Sequence, residues 1–124
     1  MSMSLAQKLA ADSVAAVAEG RNLQDVLAEI RAAHPQLTAQ ENGALQDIAY
    51  GCQRYLGSLK YMLGQMLKKP IDNPQLESLL LAAMYQLHYT RNAPHAVVNE
   101  AVESIAKIGR GQFRSFANAI LRRF

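Results

Sequence analysis

Leu79-Leu80-Leu81-Ala82-Ala83-Met84 is the stretch whose reading decides the fold of this chain. Six consecutive apolar residues leave no polar side on a helix, so the element that carries them must be surrounded by others. Asp72-Asn73-Pro74 supplies the helix start, with proline at a tolerated first-turn position, and the pattern continues to Tyr89. The uninterrupted apolar run, Leu79 to Tyr85, falls far below the roughly 20 residues that cross a bilayer. The segment is expected to be the central helix of an all-α bundle.

Working outward, apolar residues recur at helical spacing nearly everywhere, and no stretch alternates cleanly with period two. Upstream, about Ser58 to Lys69 aligns Leu59, Met62, Leu63, Met66 and Leu67, and Pro70 closes the helix. Before it, Thr38-Ala39-Gln40-Glu41 reads as a capping box, in which threonine bonds forward and glutamate reaches back. That helix runs to about Leu56 with Leu45, Ile48, Ala49, Cys52 and Leu56 inward. Leu23 to Ala33 follows an Asn22 cap, buries Leu23, Val26, Leu27 and Ile30, and stops at His34-Pro35. Ser4 to Glu19 groups Leu5, Leu9, Val14 and Val17 on one face among alanines, and Gly20 ends it. Downstream, Thr90-Arg91-Asn92-Ala93-Pro94 leads into a helix over about His95 to Ile108, which Gly109-Arg110-Gly111 stops. The last helix, Gln112 to Phe124, turns Phe113, Phe116, Ala117, Ile120 and Leu121 inward. Loops are short and there is no linker, repeat or low-complexity segment, so residues 1–124 read as one compact all-α domain of about seven helices.

Composition agrees with a globular chain: 50% of the residues are hydrophobic and 19% charged. The first five residues show no basic region followed by an apolar one, so no signal peptide is expected there. A single cysteine forms no internal disulfide and suits a reducing cytoplasm. The net charge of +3 conceals an asymmetry. Residues 1–50 carry three basic and six acidic side chains, whereas residues 51–124 carry ten basic and four acidic ones. No acid follows Glu103, while Lys107, Arg110, Arg114, Arg122 and Arg123 do. A local positive field of this kind suits a polyanion partner.

Few residues invite catalysis. Cys52 falls on an apolar helix stripe with no thiolate-stabilising neighbour, which gives it a core role. His34, His88 and His95 have no Cys or acidic partner at metal spacing, and Met62, Met66 and Met84 occupy core positions. Glu100 and Glu103 lie three apart without a His, Lys or metal partner. Glu100 is expected to gain from the dipole of its own helix, and Asn99 to bond the preceding loop. Gly109-Arg110-Gly111 is too short for a phosphate cradle and lies between helices. No catalytic residue, metal site or cofactor site is therefore expected in this chain. What remains is a basic surface: Arg91 and Arg110 in loops, Arg114 on the outer side of the last helix, and Arg122-Arg123 at its end. Tyr50, Tyr55, Tyr61, Tyr85 and Tyr89 add aromatic surface for stacking on unpaired bases.

The order Leu79 to Leu87, Pro94, Val98-Asn99-Glu100-Ala101-Val102-Glu103, Lys107, then Phe116-Ala117-Asn118-Ala119-Ile120-Leu121-Arg122 resembles the NusB family, and Tyr50-Gly51 with Arg54 resembles its Gly-x-x-Arg. One branch of that family is the antitermination factors, which bind ribosomal-RNA leader sequence with a small ribosomal protein. The other is the N-terminal domain of the Sun/Fmu (RsmB) ribosomal-RNA cytosine methyltransferases. The ending Asn118 to Phe124, with arginine after Leu121, and Tyr85 to Arg91 are similar to the methyltransferase branch. Helix one, with only Lys8 among alanines, lacks the arginine cluster of the antitermination branch. The resemblance implies a cytoplasmic RNA-binding domain for which Arg91, Arg110, Arg114, Arg122 and Arg123 are candidates. Its partners would be ribosomal RNA and a C-terminal methyltransferase domain beyond Phe124. That domain would hold the S-adenosylmethionine site and the catalytic cysteines. The alternatives are a free-standing antitermination factor and a module that only braces the catalytic half.

Overall fold

A computed structural model describes residues 3–124, and every regular element among them is helical. In order they are α1 (Met3–Ala18), α2 (Leu23–Ala33), α3 (Ala39–Arg54), α4 (Leu56–Gln65), α5 (Pro74–Tyr89), α6 (Pro94–Ala106) and α7 (Arg114–Arg122). None of them is long and apolar enough to cross a membrane. The starts follow the capping chemistry. Asn22 accepts the Asp25 N–H, and Asn73 accepts that of Leu76 with Pro74 at the first helical position. At α3 both halves of the box form: Thr38 Oγ1 accepts from Glu41 N–H at 3.0 Å, and Glu41 Oε1 accepts from Thr38 N–H at 2.9 Å.

The ends differ more from expectation. α4 stops at Gln65 rather than Lys69, because Met66 and Leu67 donate to Leu63 and Gly64 in a tightened last turn. α6 stops at Ala106 rather than Ile108, with Lys107 and Ile108 tightened in the same way. α7 begins only at Arg114, since Gly109 (φ +60°) and Gly111 (φ +82°) hold the preceding turn in the left-handed region. Tyr55 caps both α3 and α4, so these helices meet at one residue.

α5 is the axis of the bundle. Leu76 and the whole of Ser78 to Gln86 are buried, and α1, α3, α4, α6 and α7 pack around it. Ala6, Ala10 and Ala11 bring α1 close to the core with almost no exposed surface. Nine expected core residues, Leu5, Val17, Leu23, Ile30, Leu56, Met62, Met66, Leu67 and Phe113, are only partly covered. Phe116 is a fuller correction: it stands 38% exposed, because α7 packs on α5 and α6 and leaves one apolar edge outward.

Two contacts fix the neighbours of α5. Gly51 lies so close to it that a Cβ there would sit 2.1 Å from the Tyr85 ring. The ring cannot retreat: Tyr85 donates its hydroxyl to Asp47 at 2.8 Å, and it stacks with Tyr55 and Tyr89 at centroid distances of 6.3 and 5.8 Å. The second contact is a chain of buried amides. Gln7 Nε2 of α1 donates to Gln86 Oε1 of α5 at 2.8 Å and to the Val97 carbonyl of α6 at 3.3 Å. Gln86 Nε2 donates onward to Asn92 Oδ1 at 3.2 Å, and the Asn92 N–H donates to Thr90 Oγ1. The loop between α5 and α6 is thus tied to the interior.

Both contacts are open to test by urea denaturation. Gly51→Ala should lose about 2 kcal/mol to overpacking, more than the roughly 1 kcal/mol that alanine gains in helix propensity. Gly43→Ala, which meets nothing within 4 Å in the same helix, should instead stabilise by up to about 1 kcal/mol. Gln86→Leu should cost about 2 kcal/mol by orphaning polar partners, and the Gln7→Leu/Gln86→Leu pair should cost less than the sum of the singles. Additive singles would show that the amide chain is not a unit.

Candidate nucleic-acid interface

The five arginines singled out by the sequence do not form one patch. Arg91 sits in the loop held by the amide chain, where Thr90 Oγ1 lies 2.6 Å from the Gln86 carbonyl and 2.9 Å from Asn92 Oδ1. Its side chain is exposed and bonds to no other described residue. The end of α7 lies at the same end of the bundle, because the Phe124 ring approaches His88 at a centroid distance of 5.8 Å. Arg91, Arg122 and Arg123 are therefore gathered there. Arg122 is braced, donating from Nε to Asn118 Oδ1 at 2.9 Å.

Arg110 and Arg114 occupy the opposite end of the α6–α7 hairpin, about 14 Å away by the rise of the nine-residue α7. Arg110 is presented by a shaped turn: its backbone N–H donates to Gln112 Oε1 at 2.7 Å, and the same side chain packs on Gly109. Arg114 is not a free cation. Its Nη2 donates to Glu103 Oε1 at 3.0 Å, and both side chains are more than half exposed. An exposed pair of this kind contributes little stability but partly cancels the field that a phosphate would feel.

The tyrosines divide in the same way. Tyr55 and Tyr89 stack face to face, 3.9 Å apart and 7° from parallel, so one face of each is taken. Tyr85 belongs to the core, and burial followed by its hydrogen bond to Asp47 raises its hydroxyl above the ordinary value. Tyr50 and Tyr61 remain exposed, 39% and 69%, and could accept a base. Sequence reasoning missed Lys68 and Lys69, which share a groove with Arg123 although 54 residues separate Lys69 from it. Spacing along the chain carries no signal for that meeting.

The other polar candidates have structural partners. Cys52 is fully buried, and burial, with a contribution from Asp47, pushes its thiol up to about 12, so it stays a thiol at neutral pH. Glu100 does not serve its own helix. It sits in the seventh position of α6, where burial holds its carboxyl above the ordinary range against the opposing pull of the Ser4 backbone at the start of α1. Asn99 pairs with His95 one turn back at 3.2 Å rather than with the loop. His34 meets the Ile30 carbonyl at 2.9 Å, and His88 packs edge-on against Tyr89. With Gly109 and Gly111 between helices and Gly51 filled by Tyr85, the described residues offer anions arginine and lysine side chains rather than a glycine loop.

Comparison with known proteins gives these features a context. The chain is 35% identical over 119 residues to ribosomal RNA small subunit methyltransferase B of Sodalis glossinidius, covering 94% of this chain and 27% of that protein. The proteins of the same name from Cronobacter sakazakii and Pectobacterium carotovorum are 31% and 34% identical, over 95% and 72% of this chain. The chain thus spans about a quarter of the length of the relatives it matches. The NusB family model matches residues 4–124, from the first turn of α1 past the end of α7. A match that takes in all seven helices accounts for their order and for the apolar axis they enclose, and this chain belongs to the NusB family.

Proposed function

We propose that this chain is the RNA-binding and RNA-positioning domain of a small-subunit ribosomal-RNA cytosine methyltransferase that uses S-adenosylmethionine. The observation that carries the reading is the 31–35% identity to methyltransferases of small-subunit ribosomal RNA over nearly all of the chain. On this reading the protein works in the cytoplasm, and its partners are ribosomal RNA and its own catalytic half.

The chain's contribution is binding without chemistry. Arg91, Arg122 and Arg123 at one end, and Arg110 with Arg114 at the other, take two stretches of phosphate backbone about 14 Å apart. Guanidinium forks suit phosphate oxygens, and the amide chain beneath Arg91 keeps its loop from paying the full ordering entropy on binding. S-adenosylmethionine does not fit residues 3–124. No loop among them joins a strand to a helix, and the glycines outside the helices, Gly20, Gly109 and Gly111, stand in short turns between two helices. The cofactor and the reacting cysteines are assigned to the remaining three quarters of the parent, and Cys52 is not one of them.

A filter-binding titration with small-subunit ribosomal-RNA fragments tests the reading. Arg91→Ala and Arg110→Ala should each weaken binding and flatten the dependence of log K on log salt by about 1. Arg114→Ala should do less, because Glu103 already holds its charge, and Glu103→Gln should tighten binding by releasing it. Binding with no salt dependence sinks the proposal. A natural gene product ending near Phe124 would point instead to a free-standing antitermination factor.

A further inference from the structure

A groove of about 620 Å³ runs along α7. Phe113, Phe116 and Ile120 form one wall, spaced three and four apart on a single helical face, and Leu67, Ile71 and Leu76 form the other. The exposed cations Lys68, Lys69 and Arg123 also line it, with Asp72 the one acid among the lining residues. Phe116 is one of three large hydrophobic side chains left substantially exposed among the described residues, and the only one of them in this groove.

We propose that this groove seats an apolar segment of the same polypeptide from beyond Phe124, so that the catalytic half packs against α7. The inference rests on the reading above, in which the chain is part of a longer methyltransferase. Three observations favour this occupant. About three quarters of the relatives' length lies outside the matched region. α7 is itself a groove wall, and Arg123 lines the groove one residue before Phe124, whose own ring packs on His88, so a segment continuing past Phe124 has only a short way to turn back to it. The groove is also small. Fourteen residues line it, against about 20–30 a side in a standard interface between separate proteins. A tethered segment needs no such area, since its effective concentration reaches about the millimolar range. Acidic residues flanking that segment would meet Lys68 and Lys69. An apolar floor of leucine, isoleucine and phenylalanine favours an apolar segment over a phosphate backbone.

Hydrogen exchange on the full-length parent, compared with the 124-residue chain, tests the proposal. Amides of residues 66–73 and 113–121 should exchange at least about tenfold more slowly in the parent, while α2, which packs on α1 away from the groove, should not change. Phe116→Asp in the parent should abolish the added protection at 66–73, and Phe116→Leu should keep it. Because Phe116 is exposed in the short chain, Phe116→Asp should leave exchange in α5 of that chain unaltered, which separates loss of docking from loss of folding. Equal exchange in parent and short chain overturns the proposal. So does protection that appears only when ribosomal RNA is added, or protection in the short chain that grows with its concentration, which would mean a second copy. A parent that methylates RNA with an unprotected groove refutes only this inference, whereas an intact mass ending at Phe124 removes the methyltransferase reading with it.

Discussion

The covering of α5 is the constraint on which the rest of this fold depends. Between Leu76 and Gln86 that helix has only three polar side chains, Glu77, Ser78 and Gln86, so water is excluded from nearly its whole circumference. A helix of this kind is stable only when neighbours close over each side, at roughly 25 cal/mol for every square ångström removed from water. Close approach on each side then becomes a matter of residue size. Alanines let α1 in, and Gly51 lets α3 in against a ring that hydrogen bonding and stacking hold still. Even the one fully buried amide of α5 is used, since Gln86 links two helices to the loop that carries Arg91.

Much of this was legible in the sequence, and the reasons are local. α2 and α5 run where caps and proline place them, because Asn22, Asn73 and Pro74 act within one turn of the backbone they terminate. The capping box of α3 is equally local. The helix ends of α4 and α6 were less legible, because tightened last turns depend on how the chain is drawn into the next element. Phe116 was misplaced for a related reason. Helical spacing shows which face of α7 is apolar, but not how much of that face the neighbours cover.

The candidate interface was legible in kind and not in arrangement. That the second half of the chain is basic follows from composition, and the arginines are exposed as their surroundings in sequence suggest. Their division between two ends of the α6–α7 hairpin comes from its antiparallel packing. The Glu103–Arg114 pair joins residues of two helices across the turn between them, and the Lys68, Lys69 and Arg123 grouping crosses nearly half the chain. The buried amides left a fainter trace: a glutamine inside an apolar run, and another among alanines, each at a position where a hydrophobic residue would be expected.

That amide chain also bears on the order in which the molecule can assemble. Gln7 is 79 residues from Gln86 and 90 from Val97, so its partners leave the ribosome only after most of the chain has been made. Until then α1 can meet α2 and α3 but not the helices that hold its polar groups. Contacts this distant in sequence require a long loop to close before they form, which slows folding. The loop bearing Arg91 is consequently finished late: it takes its final shape only when the first helix made docks against the fifth.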